Sequence, residues 1–141
     1  MQHLKINVKL DEGAYMPERA HGTDAGADIR TPHGFEIRPH DSAVIHTGIH
    51  IELPAGTVGM LKSKSGLNIK NGITSEGVID EGFTGEIVAK LYNNSAFHQN
   101  FEPGDKITQL VILPVLYPSY EQVDEISGGE RGDNGYGSTG R

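Results

Sequence analysis

At 141 residues the chain is long enough for one domain with a sizeable core but not for two. Its formal charge of −7 argues against an extended nucleic-acid surface, which needs clustered Lys and Arg, and leaves room only for a small polyanion bound by a local nest of N–H groups, a few basic side chains and a divalent cation. With no cysteine there are no disulfides and no thiolate metal sites, and with no apolar run near 18 residues no membrane partner is expected.

The chain opens on an alternating pattern instead of a continuous apolar block, so a cytoplasmic location is expected rather than a leader peptide. Leu4, Ile6, Val8 and Leu10 share one face of a half-buried strand over residues 3–10. Residues 11–23 read as a loop broken by Gly13, Pro17 and Gly22. In Ala25-Gly26-Ala27-Asp28-Ile29 the small residues let the backbone approach something closely, with Gly26 alternatively a bulge and Asp28 alternatively a surface charge. Phe35–Ile37 is a short strand. Residues 43–53 form a longer one whose inner face is Ala43, Ile45, Thr47, Ile49, Ile51 and Leu53. His46 and His50 lie on its other face, roughly 13 Å apart along the strand, too far for one ion, and are expected to be solvated.

The strand from Val58 to Lys62 leads into Ser65-Gly66-Leu67. Ser65 is expected to cap a one- or two-turn helix that Gly72 ends, and Lys64 beside a helix start makes either a phosphate cradle or an ordinary cap. Next comes Gly77-Val78-Ile79-Asp80-Glu81-Gly82-Phe83, read as a strand end and a tight hairpin turn, with residues 86–92 as the return strand. Asp80 there either caps the turn or is held rigidly against a ligand. Residues 93–100 read as a polar turn, and Gln109 interrupts a nearly apolar strand, where its amide needs either backbone or ligand partners. Spread glycines (19) and prolines (7) between short β-like runs point to an all-β barrel or sandwich. Residues 127–141 hold no aliphatic side chain and are expected to form a mobile arm. The preceding residues, 1–126, would be the barrel. Arg131, Tyr136, Ser138 and Thr139, interleaved with glycines such as Gly137, suit an anionic ligand with a flat ring.

Taken together, Ala25 to Ile29, Lys64 to Leu67, Gly77 to Asp80, Gly104-Asp105-Lys106-Ile107-Thr108-Gln109-Leu110 and Arg131 to Gly140 closely resemble the five ordered motifs of the homotrimeric all-β dUTPases. The resemblance spans residues 24–140. It implies a distorted jelly-roll β-barrel with one short helix, active sites shared between subunits, and Mg²⁺-dependent hydrolysis of dUTP to dUMP and pyrophosphate, which keeps uracil out of DNA and supplies dUMP for dTMP synthesis. It implies that Asp80 orients and deprotonates the attacking water and bonds the sugar 3′-OH. Gln109 would stand near the α-phosphate. The strand ending in Gly77, Val78 and Ile79 would read the uracil edge. Phe83, where the family usually has Tyr, would be the wall that excludes a 2′-OH. Ser65 and Gly66 resemble the phosphate contacts, with Lys64 in place of the more usual Arg, which keeps the charge but not the bidentate fork. Asp28 would hold Mg²⁺ through water. Arg131, Tyr136, Gly137, Ser138 and Thr139 would close over the nucleotide. Two other readings stay open: a dCTP deaminase or bifunctional deaminase–dUTPase, with a Glu among 76, 81 and 86 acting at the cytosine ring, and a nucleotide-gated binding protein that regulates a protein partner.

Overall fold

The structure is a computed structural model that describes residues 4–135, 137, 139 and 140. Among the described residues, ten strands and one helix follow one another as β1 (Asn7–Leu10), β2 (Gly26–Arg30), β3 (Phe35–Ile37), β4 (Ser42–His46), β5 (Ile49–Glu52), β6 (Thr57–Lys62), α1 (Ser65–Asn71), β7 (Ile73–Ile79), β8 (Val88–Asn93), β9 (Gln99–Phe101) and β10 (Lys106–Pro114). The largest sheet runs β2-β10-β6-β7-β8-β4, and the pairs β1-β5 and β3-β9 complete a distorted jelly-roll barrel. All the strand pairings are antiparallel. Among the described residues no helix is long and apolar enough to cross a membrane.

Alternation builds the core. On β8 the odd positions Ala89 and Leu91 point inward while Val88, Lys90 and Tyr92 face out. Ile29, Ile45, Ile49, Leu61, Ile73 and Ile107 fill the interior, each burial contributing about 1.5–3 kcal/mol. These are mostly β-branched side chains, which suit a pleated, half-buried surface. Phe35 stacks on Phe101 with centroids 4.6 Å apart and locks β3 to β9.

Several expectations need correcting. Residues 43–53 are two strands, not one: Gly48 adopts φ +72°, and the Thr47 hydroxyl donates to the Ile87 carbonyl at 2.6 Å, which ends β4 while keeping the same inner face buried. The segment 93–100 is more than a turn. Asn93 is buried, and its amide donates to the carbonyls of Ile37, Arg38 and Phe97 before β9 begins. Gly26 is not a bulge. It pairs in register with Val111, and the irregularity falls between Lys106 and Thr108. Ser65 is the first helical residue and not the cap; the Lys64 carbonyl accepts the Asn68 N–H at 2.9 Å, with no side chain capping the start. Gly72 ends α1 in the left-handed region, as expected.

The largest departure is at the hairpin. The turn itself is present: Gly82 has φ +89° and the Phe83 N–H donates to the Asp80 carbonyl at 3.1 Å. The strands on either side of it are not zipped together. β7 pairs with β8 only through Ile73, Thr74 and Ser75, opposite Asn93, Tyr92 and Leu91. From Glu76 to Ile79 it pairs instead with β6, and residues 80–87 swing wide before β8 begins.

Candidate active site

Strand β6 carries the site, with different chemistry at its two ends. At the Thr57 end, the splay between β7 and β8 opens a cleft of about 300 Å³ lined by Leu61, Gly77 to Asp80, Phe83 and Glu86 to Val88. In an antiparallel strand the N–H and C=O of alternate residues point to opposite sides. With β6 on one side and β8 gone from the other, every second residue of 76–79 offers its backbone groups to this cleft. Gly77 packs closely there: a Cβ would lie 3.1 Å from Leu61 Cδ1, so any side chain would have to push Leu61 aside. Val78 is exposed at the cleft, and Ile79 is buried beneath it.

Asp80 stands at the cleft's edge with its carboxylate exposed and, among the described residues, without an ion-pair or hydrogen-bond partner. The turn beneath it is fixed by its neighbour. Glu81 accepts the Gly56 N–H at 2.8 Å and the Tyr117 hydroxyl at 2.7 Å, and these two donors hold its carboxyl below the ordinary value. Phe83 is half-exposed, with its ring laid over Gly85, where a Cβ would fall 2.7 Å from Phe83 Cζ.

The Lys62 end is charged. Asp28 is almost fully buried in β2, with Lys64 on one carboxylate oxygen and Lys106 on the other at 3.0 Å. Burial pushes its pKa upward, but the hydrogen bonds from Lys64 and Lys106 outweigh that and hold the carboxyl below its ordinary value. Gln109 stands opposite both Asp28 and Lys62, and its amide donates to the Ser63 carbonyl at 2.9 Å. Its side chain lies on Gly26: a Cβ there would be 2.8 Å from Gln109 Cδ and closer still to Oε1. The close approach expected of Ala25-Gly26-Ala27 is therefore to Gln109. Ser65 and Gly66 follow at the exposed start of α1.

The expected site residues thus form two groups within one chain, and these groups do not meet. Ile79 lies opposite Gly59 and Gln109 opposite Lys62, so Asp80 and Gln109 are separated by about four residues of β6, roughly 13 Å along the strand.

Among the described residues no three His, Asp or Glu side chains converge on one point, so the chain alone offers no inner-sphere metal cage. Asp28 provides one ionised carboxylate whose remaining lone pairs can accept from water. That fits Mg²⁺, which keeps several waters and takes other ligands from phosphate.

Beyond Val115, which donates to the Gly56 carbonyl, and Tyr117, the chain leaves the barrel. Leu116, Tyr120 and Ile126 are almost wholly exposed. Within the arm, Arg131 donates to the Gly135 carbonyl at 2.7 Å, and the other described bonds are turns of the arm itself. Gly137 and Thr139 are also exposed. Tyr136 and Ser138 lie outside the described residues.

Reading the sequence alone misplaced His50. Its side chain is only 23% exposed and both ring nitrogens are engaged, with the Thr84 carbonyl at 2.9 Å and with Asp11 at 3.0 Å. His46 is more open but reaches Glu86 at 2.6 Å. No local pattern signals these contacts, because each joins residues more than 30 positions apart.

The model of the dUTPase family matches residues 12–140. A deoxyuridine 5′-triphosphate nucleotidohydrolase of Tropheryma whipplei is 45% identical over 137 residues, covering 94% of this chain and 93% of its own length. A mutant dUTPase of Staphylococcus bacteriophage 80alpha, solved with dUpNHpp, superposes with TM-score 0.89 at 33% identity, covering 97% of this chain and 99% of that one. A mutant dUTPase of phage phi11 of S. aureus, described with a structural Mg(II) ion, superposes with TM-score 0.81 at 31% identity over 89% of this chain and all of its own. The motif order, the barrel, the splayed β7–β8 cleft and these likenesses agree, and the chain belongs to the dUTPase family.

Proposed function

We infer that this chain hydrolyses dUTP to dUMP and pyrophosphate, acting as a dUTP diphosphatase. The observation that carries this reading beyond family membership is the cleft at the Thr57 end of β6: unpaired backbone groups flanked by a free carboxylate and an aromatic wall. Backbone donors and acceptors at 76–79 suit the edge of uracil. A cytosine amino group would meet a donor there and leave polar groups unpaired. The Phe83 ring occupies the space under the deoxyribose and excludes a ribose by shape. Asp80 accepts a proton from the attacking water and a hydrogen bond from the 3′-OH.

Lys64, Ser65, Gly66 and Gln109 take the phosphates and the water at the α-phosphorus. Because Asp80 and Gln109 are too far apart in one chain to hold the same water, a complete site needs a second copy, and a homotrimer with shared sites satisfies this. The exposed apolar residues Leu116, Tyr120 and Ile126 are assigned to that subunit contact rather than to a regulatory protein partner. Bound Mg²⁺ neutralises charge on the triphosphate, and Asp28 would hold it through water. Residues 127–141 close over the nucleotide as a distinct arm, with Arg131 on the terminal phosphate, the Tyr136 ring over uracil, and Gly137, Ser138 and Thr139 donating around the phosphates. A free-nucleotide substrate is consistent with a cytoplasmic location.

The deaminase reading is disfavoured by the three nearby glutamates. Glu76 pairs with Lys62 at 3.0 Å, Glu81 is held by Gly56 and Tyr117, and Glu86 by His46 and Gly48. Each carboxylate already has a partner, and of the three only Glu86 lines the cleft.

The test is turnover of dUTP with Mg²⁺ in ¹⁸O-labelled water. Label in dUMP is expected, from attack at the α-phosphorus. Label in pyrophosphate, ammonia from dCTP, or no turnover would each defeat the assignment.

A further inference from the structure

Residues 80–87 carry both Asp80 and Phe83, and their two ends are tied down differently from their middle. At the near end Glu81 is fixed to Gly56 and Tyr117. At the far end the Ile87 N–H donates to the Ile49 carbonyl at 2.8 Å, and Glu86 accepts from Gly48 at 3.0 Å. Among the described residues, the stretch from Gly82 to Gly85 has one hydrogen bond to another element, between the Thr84 carbonyl and His50 Nδ1. Thr84 adjoins both Phe83 and the Gly85 backbone on which its ring rests.

The geometry points to His50 as a positioning residue that sets the aromatic wall of the sugar site and does so in its protonated form. A carbonyl only accepts, so Nδ1 must carry a proton to bond Thr84. The other nitrogen faces the Asp11 carboxylate, which also accepts. Only the imidazolium satisfies both at once. In the neutral ring the one proton stays on Nε2, because the Asp11 carboxylate is the stronger acceptor, and the Thr84 anchor is lost.

The surrounding charges agree with this. The Thr84 carbonyl first, and then Asp11, raise the His50 pKa above its ordinary 6.5, while burial and Lys9, its cross-strand neighbour, oppose them. Glu52 lies two residues along the same strand and is bonded by Asn7, and Glu86 of the wide loop is already taken by His46 and Gly48. A raised folded-state pKa means the clamp is complete below pH 6.5 and is lost as pH rises through the folded value.

This inference rests on the dUTPase reading, so its test has a part that needs no turnover. In the free protein, NMR should show His50 titrating above 6.5, with the Thr84 and Gly85 amide shifts moving on the same curve. In His50→Asn, whose side-chain N–H can stand where Nδ1 stood, that movement should vanish with the fold intact. In turnover, wild type should show KM for dUTP rising and the preference for dUTP over UTP falling severalfold as His50 deprotonates, with kcat changed less. His50→Asn should keep a pH-independent KM near the acid-side wild-type value, whereas His50→Ala should show the high KM at every pH. A purely structural role would lower the melting temperature without this split. The inference is overturned if His50 titrates at or below 6.5, if the 84–85 amides ignore its titration, or if both variants keep the wild-type KM profile. Absent turnover in wild type would instead defeat the dUTPase reading and leave the NMR result to decide this one.

Discussion

The two ends of β6 solve opposite problems. At the Thr57 end the chain leaves chemistry open: backbone groups without a strand partner, and a carboxylate exposed on a turn whose neighbours are pinned. At the Lys62 end the polar groups are answered within the chain, the Asp28 charge by Lys64 and Lys106, and the Gln109 amide by the Ser63 carbonyl. On the proposed reading, the base and sugar half of the site is therefore built before the ligand arrives. On the same reading, phosphate recognition would be assembled by drawing Lys64 away from Asp28 and bringing the arm in. A triphosphate is strongly hydrated, and its binding groups gain from being neutralised by one another until it replaces them.

Removing the open carboxylate should have the largest effect. Asp80→Asn is expected to lower kcat/KM by about 10²–10⁴-fold, with the melting temperature unchanged because Asp80 is exposed and has no partner among the described residues. Pyrophosphate release and a thermal scan on the same sample check both halves. Truncation after Gly129 comes next. It should cost about 10²–10³-fold in turnover, the scale of lost charge-stabilising donors, yet leave the barrel as stable as before, since the described arm residues bond only to one another. An unaffected rate would show that the phosphate end is complete without the arm.

Gly26→Ala tests whether the closed end depends on a missing side chain. A Cβ would displace the Gln109 amide, and misplacing a catalytic group by about 1 Å can cost up to about 10²-fold. The strain should also lower stability by about 1–3 kcal/mol in urea unfolding. The smallest effect is expected in acid. Asp28 has a depressed pKa, so its contribution is present above the ordinary 3.8 and lost as pH falls through the folded value. Asp28→Asn should remove about 1–3 kcal/mol near neutral pH and flatten the acid limb of the stability curve below about pH 4.

Much of this was legible in the sequence, and for one reason. Strand alternation and the Gly- and Asp-rich turns are local, and the five motifs are contiguous, so Ile45, Ile49 and Ile51 could be placed inward and Asp80 and Gln109 singled out from neighbours alone. What stayed hidden depends on register between distant strands. That Gly26 makes room for Gln109 follows from β2 pairing with β10. The hairpin at Asp80 looks closed in sequence because nothing local says that β7 changes partner at Glu76. His50 reads as a surface residue on an alternating strand. Its engagement comes from Asp11 and Thr84, brought in by the β1–β5 pairing and the wide 80–87 loop.

The central claim is that dUTP is hydrolysed at a site whose two halves come from different copies of the chain. Co-expression of Asp80→Asn and Gln109→Ala chains with different tags, followed by purification of species carrying both, tests it directly. Each variant alone lacks one half at every site, while a mixed assembly contains some sites in which both halves are intact. The mixed species should hydrolyse dUTP well above either parent, approaching the wild-type rate per intact site. A mixed assembly no more active than the better parent, beside an active wild type, would contradict the divided site.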